Sequence, residues 1–121
     1  MSDKLIVLCS WGPEEPERAT LAFIAANVAA TAGQDVAVLC TIEGVRLGVE
    51  GGTEGVAADG IPPLGQVYSE LVANGGEVWL CGVCTKPRNI TEDQCAKGAR
   101  IVGAAYVIEE ITKGAKQVTF S

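Results

Sequence analysis

Two closely spaced cysteines are the residues best placed to do chemistry in this sequence. They belong to the run Cys81-Gly82-Val83-Cys84-Thr85-Lys86-Pro87-Arg88. The thiolate is the nucleophilic form of cysteine, and nearby cations stabilise it. We therefore identify Cys81 and Cys84 as candidate catalytic nucleophiles, and Lys86 and Arg88 as the cations that would stabilise a thiolate. Either cysteine fits the role, because Cys81 is nearer the preceding strand and Cys84 is nearer the two cations.

The other cysteines are Cys9, Cys40 and Cys95. Cys9 and Cys40 fall near the ends of predicted strands, where a cysteine usually serves as a small buried apolar residue. CxxC also begins many metal sites, but a structural zinc site needs a second CxxC or histidines, and the sequence has neither. An iron–sulfur cluster would need Cys9 or Cys40 as a further ligand. We expect no metal and no other cofactor.

Composition limits the function further. The 121 residues, 48% of them hydrophobic, suit one globular domain spanning 1–121. Histidine is absent, which excludes Ser-His and Cys-His nucleophiles. The net charge of −6 disfavours nucleic acid and anionic membranes as partners. The apolar run 5–8 is too short for a signal peptide, no stretch is long enough to span a bilayer, and five cysteines cannot all pair, so we expect a cytoplasmic protein with reduced thiols.

Strands and helices alternate along the sequence. Hydrophobic runs predict strands over 4–10, 35–41, 77–81, 100–102 and 117–120, and periodicity with capping signals predicts helices over 17–31, 63–73, 91–97 and 104–113. In the first helix, Leu21, Ile24, Ala25 and Val28 recur at helical spacing. The Gly-rich segment 44–60 lacks phosphate-binding motifs and is interpreted as a mobile loop or an oligomer contact.

This alternation predicts a three-layer α/β/α sandwich around a mostly parallel sheet, because nearly continuous apolar strands need cover on both faces. In such sheets, ligands bind at the carboxyl ends of the strands. Cys81 ends the third predicted strand. The candidate site therefore lies at this edge of the sheet.

Several motifs resemble the DsrE/DsrF-like superfamily of cytoplasmic sulfur-metabolism proteins, which includes DsrE, TusD and YchN. The resemblance covers nearly the whole chain. It rests on the Gly-Pro-Glu-Glu loop 12–15, the helix closed by 32–33, the run 43–47, the helix 64–74 and above all the run 81–90. Asn89 replaces the usual glycine of the family, and Asn tolerates the left-handed backbone that such a turn requires.

The resemblance implies a five-stranded α/β/α fold, assembly as a homo-oligomeric trimer or hexamer, and a persulfide on Cys81, with Cys84 as the extra thiol of the CxxC branch. We therefore expect a sulfurtransferase or sulfur carrier without a cofactor, exchanging sulfur with rhodanese-like or TusA-like donor and acceptor proteins. Two alternatives stay open. One is a CxxC dithiol that acts in redox chemistry or sensing, and the other is a non-catalytic subunit of a hetero-oligomer.

Overall fold

A five-stranded parallel sheet forms the centre of the molecule in a computed structural model, which describes residues 3–120. The strands are β1 (Leu5–Cys9), β2 (Val36–Cys40), β3 (Glu77–Cys81), β4 (Ala99–Val102) and β5 (Lys116–Thr119). Their order is β4-β3-β2-β1-β5, and each neighbouring pair is parallel. The predicted five-stranded α/β sheet is confirmed.

Helices cover both faces of the sheet, which confirms the three-layer sandwich. They are α1 (Pro16–Thr31), α2 (Leu64–Ala73), the single turn α3 (Gly82–Thr85) and α4 (Ala104–Thr112). The first two pack in the larger core cluster on one face, whereas α4 contributes Val107 to the smaller cluster on the other. Within the described part of the chain, no helix is long and apolar enough to cross a membrane.

Strand alternation sends neighbouring side chains to opposite faces. Along β3, Val78 and Leu80 lie in the α1/α2 core, and Trp79 lies in the α4 core. The next residue, Cys81, is therefore directed towards the α4 face. This parity sets the environment of the candidate thiol.

The buried face of α1 is not centred on the apolar residues that recur at helical spacing. Its buried residues are mainly small: Ala19, Thr20, Ala22, Phe23, Ala26, Ala29 and Ala30. Alanine lets the helix approach the sheet and α2 closely, so the alanine face is buried in place of the bulkier stripe. Leu21 and Val28 are exposed, and they line an apolar groove of about 500 Å³ with Val118 and Phe120 at the β5 edge.

Two segments between the main elements also differ from expectation. The first part of the Gly-rich segment is ordered, because a 3₁₀ helix (Ile42–Gly48) buries Val45 and Leu47 in the core. The helix predicted over 91–97 is only a 3₁₀ turn (Glu92–Gln94), although its capping box is present. It ends there because Cys95 is extended and forms a β-bridge with Val49.

A buried lysine organises the amino-terminal edge of the sheet. Lys4 is 7% exposed, and its Nζ lies 2.8 Å from both Asp35 Oδ1 and Glu77 Oε2. The same Nζ lies 5.1 Å from the centre of the Trp79 ring. This ion-pair cluster is at the opposite end of β3 from Cys81, so it belongs to the scaffold.

Candidate functional site

Cys81 ends β3 beside a small apolar cavity. It pairs in register with Val102 at the end of β4. The cavity has a volume of about 140 Å³ and lies between the strand ends and α4, where Cys81, Leu39, Val107 and Ile108 are among its lining residues. A sulfur atom added to Cys81 would therefore enter a pocket lined by aliphatic side chains.

The beginning of α4 forms one wall of this cavity. Gly103 is the N-cap residue, and it and Ala104 line the cavity. No side chain caps this helix. The first N–H groups of a helix lack acceptors inside the helix, and that end carries a partial positive charge. The α4 start therefore offers favourable electrostatics to a negative charge on the Cys81 sulfur.

Cys84 does not line this cavity. After Cys81 the chain turns through α3, and Cys84 packs against the α1/α2 core. The turn is fixed by Arg88, whose Nη1 donates to the Cys84 carbonyl oxygen at 3.0 Å. The two thiols of the CxxC run are both partly buried, but they face different surroundings.

The predicted cations do not converge on Cys81. Arg88 Nε donates to Glu43 Oε1 at 2.9 Å, and Arg46 Nε donates to Glu43 Oε2 at 2.7 Å. These hydrogen bonds from Arg46 and Arg88 lower the pKa of the Glu43 carboxyl. Lys86 is exposed on the turn that follows α3. The structure thus joins Arg88 to the Cys84 backbone and to Glu43, and it places neither cation in the lining of the Cys81 cavity.

Two features of this region were not assigned a role from the sequence. The sequence does contain a signal for Glu43, because this carboxylate follows the end of β2 and Arg46 comes three residues later, within reach of an ion pair. The sequence contains no comparable signal for the α4 start at Gly103, because only the order of the strands places this residue next to β3. The interpretation of Asn89 agrees with the structure, since its φ of 59° is left-handed and ends the turn at Arg88.

Burial or a raised pKa makes each of the remaining thiols a weaker candidate than Cys81. Cys9 and Cys40 are register partners on β1 and β2, and both are essentially inaccessible to solvent. A hydrogen bond with Cys9 and complete burial raise the pKa of Cys40. Burial, reinforced by Glu92 and Asp93, raises the pKa of Cys95.

The acidic and thiol side chains of residues 3–120 are spread over the fold. No group of three or more His, Cys, Asp or Glu side chains there is arranged to hold a metal ion. The site is therefore described by its thiols, its apolar cavity and the surrounding helix termini.

Comparison with known proteins places this geometry in a family. The family model of the DsrE/DsrF-like family matches residues 3–120. The chain belongs to the DsrE/DsrF-like family. Its fold is similar to that of the YchN protein from E. coli, with a TM-score of 0.76, 20% identity, and coverage of 98% of this chain and 100% of that one. A protein of unknown function from Methanobacterium thermoautotrophicum gives a TM-score of 0.71 at 15% identity, covering 98% and 99% of the two chains.

Curated relatives of this DsrE/DsrF-like chain are archaeal and uncharacterized. One from Methanopyrus kandleri is 29% identical over 82% of this chain and 78% of its own length. Another from Methanocaldococcus jannaschii is 23% identical over 92% of this chain. The match covers only 40% of that relative's own length. Family membership and the YchN-like architecture give the chain a fold of the sulfur-relay type.

Proposed function

We propose that this protein is a sulfur carrier that binds sulfane sulfur as a persulfide on Cys81 and passes it to the thiol of a partner protein. One observation carries the proposal. Cys81 ends β3 beside an apolar cavity whose wall includes the uncapped start of α4. Membership of the DsrE/DsrF-like family supports the same chemistry.

The transfer consists of two thiolate displacements. The Cys81 thiolate attacks the outer sulfur of a donor persulfide, a new S–S bond forms at Cys81, and the old S–S bond breaks to release the donor thiolate. An acceptor thiolate then attacks the outer sulfur on Cys81, and Cys81 leaves as a thiolate. The sulfane sulfur is passed on without net oxidation or reduction, so the reaction needs no cofactor and no histidine.

The cavity suits the intermediate. Sulfur is large and polarizable, and it packs well against aliphatic groups such as Leu39 and Val107. The α4 start supplies favourable electrostatics for the persulfide anion. Aliphatic walls also limit the access of water to the bound sulfur. Lys86, which is exposed on the turn after α3, would then contact an approaching partner, whereas Arg88 is paired with Glu43.

The alternative dithiol mechanism requires Cys81 and Cys84 to form a disulfide. In this structure both thiols are free and face different groups, since Cys81 lines the α4-side cavity and Cys84 packs against the α1/α2 core. The third alternative, a non-catalytic subunit, would leave the cavity without a sulfur to hold.

Assembly and partners belong to this proposal. The apolar groove between α1 and β5 exposes Leu21, Val28 and Phe120 to solvent, and a second copy of the chain would cover them. We propose a homo-oligomer, with trimer or hexamer implied by the family resemblance. The reaction would take place in the cytoplasm with rhodanese-like or TusA-like proteins as donor and acceptor, where thiols stay reduced.

Sulfur loading of single-cysteine variants tests the function. After incubation with inorganic polysulfide, the intact mass should rise by one or more sulfur atoms, and dithiothreitol should remove the increment. Cys81→Ser should abolish loading, whereas Cys84→Ser should change only its rate or retention and the control Cys95→Ser should load normally. Loss in both Cys81→Ser and Cys84→Ser, with an intramolecular disulfide in the wild type, would favour the redox alternative. Absence of loading in the wild type would favour a non-catalytic subunit.

A further inference from the structure

Apolar side chains are exposed around Cys81. Among residues 3–120, four large apolar side chains are more than half exposed: Val83 at 72%, Val28 at 66%, Ile108 at 63% and Ile42 at 53%. Val28 lies in the α1 groove already described. The other three, which we call the apolar rim, lie on the segments that surround the end of β3.

The positions of the rim residues follow from the topology. Val83 is two residues beyond Cys81 in α3, and Ile108 lines the same cavity as Cys81. Ile42 follows β2, the neighbour of β3, and the 3₁₀ helix that begins at Ile42 packs against α3. The rim thus combines residues from three elements at one edge of the sheet.

Ile42 is not only exposed but also has a strained backbone. Its φ of 53° is left-handed, which is unfavourable for a β-branched residue. Hydrogen bonds from Thr41 N to the Cys9 carbonyl and from Gly44 N to the Thr41 carbonyl hold the adjoining backbone. The fold therefore keeps an isoleucine in a strained and half-exposed position. Such strain concentrates at functional sites.

We propose that the apolar rim docks a partner protein through apolar residues that flank the partner's reactive cysteine. The inference rests on the proposed function and specifies the chemistry of the partner. The cavity of about 140 Å³ holds sulfur atoms but not a polypeptide segment, so the residues next to the incoming cysteine must seat outside it, on the rim. The three rim side chains are aliphatic and more than half exposed, so the partner residues that they would contact are apolar.

Disulfide exchange with two matched peptides tests this docking without requiring a persulfide. The probes are the cysteine peptides Ala-Leu-Cys-Leu-Ala and Ala-Asn-Cys-Asn-Ala, each blocked at both ends and activated as a 2-thiopyridyl disulfide. The Cys81 thiolate attacks the peptide sulfur, a protein–peptide disulfide forms, and thiopyridone is released and measured by absorbance. Cys84→Ser and Cys95→Ser together make Cys81 the reporter, because Cys9 and Cys40 are buried.

The leucine peptide should react at least about fivefold faster than the asparagine peptide, as expected if its leucine side chains become buried. Ile42→Asn, Val83→Asn and Ile108→Asn should each lower this ratio. The control Ile111→Asn should keep it, because Ile111 is on the same helix as Ile108 but does not line the cavity. Ile42→Asn should also leave the melting temperature unchanged or raise it, since Asn tolerates the left-handed backbone.

Equal rates for the two peptides would overturn the inference, as would an equal loss of preference in Ile111→Asn. A change of oligomeric mass in the rim variants would also overturn it, because the rim would then be covered by a second copy of the chain. Since the exchange proceeds from the free thiol, a failure of sulfur loading would contradict the proposed function without deciding this test.

Discussion

Placing a carboxylate at the start of α4 should slow the reaction of Cys81 without harming the fold. The change is Gly103→Asp, with Gly103→Asn as its uncharged control. Gly103 has an ordinary extended φ of −83°, and no atom lies within 4 Å of the position that a Cβ would occupy. At a helix N-cap, Asp and Asn are at least as favourable as Gly. Both variants should therefore retain the wild-type melting temperature or exceed it slightly.

The size of the effect follows from the strand register. Cys81 pairs with Val102, so Gly103 lies one residue further along the neighbouring strand. A strand spacing of about 4.8 Å and a rise of about 3.3 Å per residue put the two Cα atoms about 6 Å apart. Two negative charges at about 6 Å and an effective dielectric constant of about 40 repel by about 1.4 kcal/mol, or roughly tenfold in rate. Asn carries no charge and only competes with the sulfur for the helix N–H groups, which should slow the reaction of Cys81 by about two- to fivefold.

Alkylation by iodoacetamide at neutral pH measures this effect, with Cys84 and Cys95 replaced by Ser. We expect Gly103→Asp to react about tenfold more slowly than the parent and Gly103→Asn to be intermediate. The charge effect should shrink in high salt. Wild-type rates in both variants would refute the claim that the α4 start acts on the Cys81 sulfur.

Further predictions concern the scaffold and the assembly. Lys4→Met should lower the free energy of unfolding by about 1–3 kcal/mol in urea titrations. The loss is smaller than for a fully buried ion pair, because the carboxylate partners of Lys4 are 58% and 38% exposed. An unchanged free energy of unfolding would contradict the role of Lys4 in the scaffold. Burial opposes ionisation of the Glu77 carboxyl, but its hydrogen bond with Lys4 prevails and lowers its pKa. The ionised Glu77 should therefore stabilise the fold above pH 4.5, and this stabilisation should disappear as the pH falls through the lowered pKa of the folded state. Light scattering should give at least twice 12.5 kDa, and Val28→Glu should reduce that mass; a wild-type monomer at micromolar concentration would contradict the oligomer.

Much of the fold could be predicted because local patterns and tertiary packing agree. The third strand has the predicted bounds, Glu77–Cys81, since its apolar run is bordered by Gly76 and Gly82. The helix α1 was predicted from periodicity, but its buried face is mainly alanine, because the close approach to α2 favours small residues over large apolar ones. Likewise, the capping signal at Thr91 is real, but the bridge between Cys95 and Val49 limits the helix to one turn.

The site could be predicted only in part. The CxxC run and its place at the end of a strand are visible in the sequence, and they identify Cys81 and Cys84. Their opposite surroundings depend on strand parity and on the turn at α3, which spacing alone does not determine. The contacts of Arg88 with Glu43 and with the Cys84 carbonyl depend on how two loops meet at the sheet edge. Long-range contacts of this kind leave no periodic signal.

The position of bound sulfur decides whether Cys81 is the carrier thiol. Wild-type protein should be loaded with inorganic polysulfide, alkylated without reduction and digested with trypsin, and the peptide containing the CxxC run should be fragmented by tandem mass spectrometry. Fragments between Cys81 and Cys84 distinguish the two thiols. We expect the extra sulfur on Cys81 and only the alkyl group on Cys84. Extra sulfur on Cys84 with Cys81 simply alkylated would contradict it.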